Sequence, residues 1–231
     1  MDDLSIIFPV YNEKDTLESV LSEWQKELNK NKISYRFIVC EDGSTDGTKE
    51  LVKKLQKKYK LIVSQKKERR GYGKAIIDGL LIAKSKYILS LDSDGQCSPT
   101  DFLNFWKARD RAEIIIGWRK KRTDPKHRKL FSWMFLQLFR FLFPSTIHDP
   151  SAPFLLYKRK IIRYVKYFKY LNEGFWWGFI GLSIKKNISI YELPINHRLR
   201  DKGKSQIYFI NKIPLIAFNN IMGLIKLRFI N

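Results

Sequence analysis

YILSLDSDGQ, residues 87–96, reads as a buried apolar strand that ends in two carboxylates, Asp92 and Asp94. Side chains alternate along an extended chain, so positions i and i+2 point the same way and can hold one hard divalent cation between themselves and a phosphate. Asp, Ser and Gly after a strand are also the ingredients of an ordinary turn. The chain on either side has to decide between a turn and a site.

Working outward, apolar strands alternate with amphipathic helices. Residues 4–10 are strand-like, and Leu17, Val20, Leu21, Trp24 and Leu28 then share one helical face, opened by Asp15 with Glu18 three residues on. A strand at 36–40 is followed by a helix with Leu51, Val52 and Leu55 inward, a strand at 61–64 and a helix at 74–83. The strand at 87–91, a helix at 99–109 and a strand at 113–117 complete the series. This repetition predicts an α/β fold, a mostly parallel Rossmann-like sheet flanked by helices. Ligands bind such sheets beyond the carboxyl ends of the strands. PVYNE, EDGSTDG and DSDGQ all fall at those ends.

From about Arg119 the alternation gives way to aromatic and basic sequence with a short strand at 188–192. The 231 residues, 44% of them apolar, suffice for one large domain with a real core. Cys40 and Cys97 lie in unrelated contexts, so free thiols in a reducing compartment are expected and zinc is not. The 44 Lys and Arg against 23 Asp and Glu give a formal charge of +21, a field that attracts polyanions or anionic lipid head groups. Nucleic acid is not the expected partner, because zinc-finger spacing, an RNP-type motif and a basic heptad region are all missing. Many of the lysines, as in KELVKKLQKKYK at 49–60, belong to the polar side of a helix.

The opening MDDLSIIFPVYNE carries acid before a short apolar run, unlike a secretion signal, and work on the cytoplasmic side is expected. No uncharged apolar stretch reaches the ~20 residues that span a bilayer as a helix. Residues 130–139 and 213–225, flanked by cations and rich in Phe, Trp, Leu and Ile, have the make-up of helices lying in a membrane interface. Buried core helices would have the same composition, and both readings stand at this point.

FPVYNEKDTLESVL, CEDGSTDGT, GYGKAIIDGL, LDSDGQCSP, HRKLFS and HRLRDKGKSQIY, in this order, resemble the family 2 glycosyltransferases of the GT-A fold, the dolichol-phosphate mannosyltransferase-like branch in particular. The resemblance covers about residues 4–206. It implies that Pro9, Tyr11, Glu13 and Asp42 surround the base and ribose of a nucleotide diphosphate sugar. Gly73 and Lys74, after Gly71, would open a helix toward the donor phosphates. Asp92, Asp94 and Gln96 would hold Mg²⁺ or Mn²⁺, with Asp94 the more direct ligand and Asp92 nearer the sugar. Arg119, Arg128 and Ser132 match positions that hold an acceptor phosphate, a task suited to the planar guanidinium fork. Arg200, Gly203 and Ser205 match an R-x-x-G-x-S element, with Arg200 on the donor phosphates and Ser205 on the acceptor side. Gln206 follows where many relatives carry Lys, so Lys202 or Lys204 is left to supply a second cation. His197 and Arg198 would shape this loop.

The family resemblance departs at the catalytic base. Gly178 stands where related sequences often place an acid, leaving Glu173 and Asp149 as candidates. A phosphate monoester has a second pKa of about 6 and is already nucleophilic at neutral pH. A missing base therefore fits a lipid-phosphate acceptor.

The expected function is inverting transfer of a hexose to a polyprenyl phosphate at the cytoplasmic membrane face, with Asp92, Asp94 and Arg200 as catalytic residues. The expected layout is a donor half at 1–118, an acceptor half at 119–206 and an apolar, basic interface helix at 207–231. The expected partners are the nucleotide sugar, the polyprenyl phosphate, an anionic membrane surface and an integral membrane protein completing the pathway. Transfer to a glycan or glycolipid hydroxyl, and a non-catalytic basic module binding nucleic acid or membrane, are the alternative readings.

Overall fold

A computed structural model describes residues 2–120, 126–170, 174–196, 198 and 213–229. The expected alternation is present: β1 (Leu4–Val10), α1 (Leu17–Lys30), β2 (Tyr35–Asp42), α2 (Thr48–Lys58), β3 (Leu61–Lys66), α3 (Tyr72–Ile82), β4 (Tyr87–Ser90), α4 (Pro99–Ala108) and β5 (Ile114–Arg119). The later part adds α5 (Lys126–Leu142), β6 (Leu155–Lys158), a 3₁₀ segment (Arg159–Tyr170), α6 (Phe175–Lys185), β7 (Ile190–Ile195) and α7 (Ile213–Phe229). The sheet runs β3-β2-β1-β4-β6-β5-β7. It is parallel except at β6, which is antiparallel to both β4 and β5.

Every residue of β1 is buried, which is why LSIIFPV reads as a continuous apolar run. Ile6, Phe8 and Val10 join Trp24, Phe37, Phe102 and Phe105 on one face of the sheet. Ile7 joins Ile38, Ile76, Ile88, Phe139 and Phe179 on the other. The two cores clamp the sheet and hold the carboxyl ends of β1, β2 and β4 together.

Four boundaries differ from the sequence reading. Helix α1 begins at Leu17, with Thr16 rather than Asp15 before it. The Glu13 carbonyl accepts the Thr16 and Leu17 N–H groups, Thr16 Oγ1 donates to Glu13 Oε2 at 2.6 Å, and Glu18 pairs with Lys58 at 2.8 Å instead of closing a capping box. Helix α3 starts at Tyr72, earlier than expected, and β5 continues to Arg119. The strand expected at 188–192 lies at Ile190–Ile195, in register with β5.

Each of the two apolar helices is buried on one side and exposed on another. Phe139 of α5 and Leu224 and Leu227 of α7 are in the core. Leu130, Phe131, Trp133, Met134 and Phe141 of α5, and Leu215, Phe218 and Phe229 of α7, are exposed. Lys185 of α6 donates to the carbonyls of Leu227 and Arg228 at 3.2 and 2.8 Å, binding the end of α7. Among the described residues no helix is long and apolar enough to cross a membrane.

Helix α3 lies on the sheet through Gly79, where a Cβ would meet Ile7 Cγ2 at 2.5 Å and Cys40 Sγ at 3.0 Å. Gly79→Ala, a change that ordinarily favours a helix, is expected to destabilise by about 1–3 kcal/mol because Ile7 is locked in the sheet. Urea denaturation measures it directly.

Candidate active site

The site is built from the loops that leave β1, β2 and β4. Asn12, at a φ of 56°, turns the first loop against the second. Its N–H donates to Ser44 Oγ at 3.0 Å, its Oδ1 accepts the Thr45 N–H at 2.8 Å, and Glu13 N–H donates to Thr48 Oγ1 at 3.0 Å. The turn residues of EDGSTDG thus brace the residues of PVYNE.

Asp42, buried at the end of β2, accepts the Arg70 N–H at 3.0 Å and the Gly71 N–H at 2.7 Å. These bonds draw the segment before α3 across the site. Gly43, at a φ of +76°, lets that segment pass, since a Cβ there would lie 2.3 Å from the Glu68 carbonyl carbon. The Arg69 guanidinium consequently stacks 4.1 Å above the Tyr11 ring.

Pro9, Tyr11, Glu13, Asp42, Asp92 and Asp94 line one cavity together with Arg69 and Tyr72. Six of the residues named from sequence are therefore assembled. Gly73 and Lys74 do not line it; Tyr72 and Ala75 do. Positions three apart share a helical face, and this one leaves Lys74 exposed and Gly73 buried.

Asp94 Oδ1 accepts the Gln96 N–H at 3.1 Å, while Ser93 Oγ donates to the Pro9 carbonyl at 2.9 Å and pins the loop to β1. Gln96 is drawn elsewhere. Its Nε2 donates to the Arg198 carbonyl at 3.0 Å, and the Arg198 N–H donates to its carbonyl at 3.1 Å. The Arg198 guanidinium reaches Glu23 and Ser98 at 2.8 and 2.7 Å.

Asp92 Oδ1 accepts the Tyr72 O–H at 2.8 Å, and the Tyr72 oxygen accepts the Trp176 indole N–H at 2.8 Å. Burial, followed by the charge of Asp94, pushes the Asp92 carboxyl up to about 7. Tyr72 and Trp176 escaped the sequence reading. The one visible signal is an aromatic residue set between the two glycines of GYGK.

Arg119 and Asp149 form a two-point ion pair, Nε to Oδ2 at 2.7 Å and Nη2 to Oδ1 at 2.9 Å, with side chains only 12% and 7% exposed. Ser151 Oγ accepts from Arg119 Nη2 and donates to Asp149 Oδ1. The His148 and Asp149 N–H groups donate to Glu192 Oε1 at 2.8 and 3.2 Å, seating the loop on β7. The candidacy of Asp149 as a base is corrected by this geometry, because its oxygens are engaged by a guanidinium. Arg119 also lies near enough for its charge to lower Asp92 in part.

Ser132 lies on α5 one turn after Arg128, whose side chain is outside the described residues. Glu173, His197, Arg200, Lys202, Gly203, Lys204, Ser205 and Gln206 also fall outside them, as does the boundary at 206 and 207. Gly178 is buried in α6.

Among the described residues no group of three or more His, Cys, Asp or Glu side chains converges on one point. Two adjacent carboxylates, one held near neutrality by burial and by the other, nevertheless fit a divalent cation that completes its shell with phosphate and water, as Mg²⁺ commonly does.

The sheet order and the acidic loop at its carboxyl edge define a glycosyltransferase of the GT-A class. The chain belongs to glycosyl transferase family 2, whose family model matches residues 5–165. It is similar to a dolichyl-phosphate beta-glucosyltransferase of Dictyostelium discoideum, 28% identical over 97% of this chain and 77% of that enzyme. It is also 28% identical to a dolichol-phosphate mannosyltransferase of Pyrococcus furiosus, over 88% of this chain but only 59% of that enzyme's length. Glucosyl-3-phosphoglycerate synthase of Mycobacterium tuberculosis, crystallised with Mn²⁺, UDP-glucose and phosphoglyceric acid, shares the fold at a TM-score of 0.73 and 16% identity, over 100% of this chain and 81% of that one. Mannosyl-3-phosphoglycerate synthase of Rubrobacter xylanophilus does so at 0.72 and 13%, over 97% and 73%.

The raised Asp92 pKa carries a pH dependence. Between the ordinary carboxylate value of 3.8 and about 7 the folded protein binds more protons than the unfolded chain, so its stability falls as pH rises through that window. The cation-free protein is expected to lose stability steadily between pH 4 and 7. Asp92→Asn should flatten the slope when denaturation midpoints are compared across pH.

Proposed function

We propose that this glycosyltransferase moves a hexose, with inversion, from a nucleotide diphosphate sugar to a polyprenyl phosphate, using Mg²⁺ or Mn²⁺. The observation that carries the reading is the neighbourhood of Asp92. Asp92 lines the cavity with Arg69 and Tyr11 and lies within reach of the charge of Arg119, which is paired with Asp149, in a protein whose α5 and α7 expose apolar faces. The names of the two dolichyl-phosphate enzymes support the same acceptor class.

In this reading Pro9, Tyr11 and Glu13 flank the base and ribose, Arg69 covers the base, and Asp42 holds the segment that carries Arg69. Asp92 and Asp94 would hold the cation, with Gln96 fixing their loop from beside them. The cation, when bound, neutralises the charge that gathers on the departing nucleotide diphosphate. Arg119, with Arg128 and Ser132, orients the acceptor phosphate so that its oxygen attacks the anomeric carbon opposite the leaving group. Arg200 and Ser205 would close over the phosphates. With Asp149 committed to Arg119 and Gly178 in α6, deprotonation is left to the acceptor's own acidity.

The exposed sides of α5 and α7 would lie in the cytoplasmic face of an anionic membrane, with the polyprenyl chain beside them. Residues 1–118 then serve as the donor half, 119–206 as the acceptor half and 207–231 as the interface helix, with an integral membrane partner receiving the product.

Labelled nucleotide sugars screened against polyprenyl phosphate with Mn²⁺ or Mg²⁺ test the reaction. Label should enter the lipid, and Asp94→Ala should lower the rate at least about a hundredfold, within the range of metal and electrostatic catalysis. Transfer to a free sugar hydroxyl with no labelled lipid, or equal rates for both proteins, overturns the reading.

Vesicle flotation tests the membrane face. Replacing Phe131, Trp133 and Phe218 together by Asp should weaken binding to anionic vesicles by about a hundredfold or more, given roughly 1.5–3 kcal/mol for each large apolar side chain buried. Nucleotide binding should be unchanged.

A further inference from the structure

The Tyr72 and Trp176 contacts bring three distant parts of the chain to one carboxylate. Trp176 lies on α6, Tyr72 in the first turn of α3 and Asp92 in the loop after β4. Chemistry fixes the direction of both bonds. An indole N–H only donates, so the Tyr72 oxygen accepts from Trp176 and its own proton is directed to Asp92.

Both supports are rigid. Trp176 is buried edge-on to Phe175 and Phe179, with ring centroids 5.0 and 5.5 Å away. Its neighbour Trp177 packs on Phe135 and Phe139 of α5 at 4.5 and 5.5 Å. Tyr72 is carried by α3, seated on β1 and β2 through Gly79. A phenylalanine at position 72 would fill the same space, so a buried hydroxyl answered at both ends implies a polar task.

We propose that Tyr72, anchored by Trp176, is a positioning residue for sugar transfer: it engages Asp92 Oδ1 and so fixes the orientation of the carboxylate that would hold the cation. The inference rests on the donor-site reading above. It also ties that carboxylate to α6, the helix against which the acceptor-side α5 is packed.

The test compares wild type with Tyr72→Phe and Trp176→Phe. Mn²⁺ together with UDP or GDP is titrated by calorimetry, steady-state constants are measured with polyprenyl phosphate, and melting temperatures are recorded. Tyr72→Phe should weaken Mn²⁺–nucleotide binding about tenfold, the usual scale for a hydrogen bond to a charged group. The donor KM should rise in step with the lipid KM nearly unchanged, while the melting temperature falls by a few degrees because the Trp176 N–H and Asp92 each lose a partner. Trp176→Phe, which keeps Tyr72 but frees it, should show a smaller loss in the same direction.

Wild-type affinity and donor KM in a folded Tyr72→Phe overturn the proposal and reduce Tyr72 to a space-filling role. Should that variant not fold, wild-type affinity in Trp176→Phe overturns it equally. If the wild type itself binds neither nucleotide with Mn²⁺, the donor-site reading fails, a result distinct from failure of the Tyr72 role.

Discussion

Two carboxyl groups held two residues apart at the end of a buried strand set the conditions for everything built around them. Water would separate and screen such a pair, but the two cores and the loops after β1 and β2 exclude much of it. An uncompensated buried charge is costly. The surroundings answer with a hydroxyl from Tyr72, the nearby charge of Arg119 and the N–H of Gln96 on Asp94. These contacts reduce the repulsion without removing it, so a cation adds to folded-state stability wherever it binds the folded form alone.

The part of the chain after β5 has a different logic. Helices α5 and α7 each give one face to the core and leave another, rich in Phe, Leu and Met, in solvent. Such a face is unfavourable on an isolated soluble protein. Lys185 binding the end of α7 and Trp177 packing on α5 show that the helices are held by the domain, independently of whatever covers their outer sides.

The first half of the fold was legible because its strands are buried on both faces and its helices on one, so periodicity and burial carry the same message. Strand β6 was not, since LLYK is four residues long and owes its place to β4 and β5 on either side. The start of α1 was misplaced because Glu13, a residue before the helix, takes the bonds that a capping box would have made. Motif spacing found the six cavity residues. It could not find the partners of Asp92, since Trp176 and Tyr72 are 104 residues apart and meet only through packing. Nor could it foresee that Asp149, an acid in a promising place, would be claimed by Arg119.

That last pairing decides when the entropy of a long side chain is lost. A long guanidinium side chain in solvent carries about 2 kcal/mol of rotamer entropy, and an anion that recruits it has to wait for one conformer among many. Arg119, gripped by Asp149 and Ser151 and shielded from solvent, has given up that freedom during folding. The cost of ordering this guanidinium therefore falls on folding itself, and the end of β5 keeps one shape before anything binds beside it.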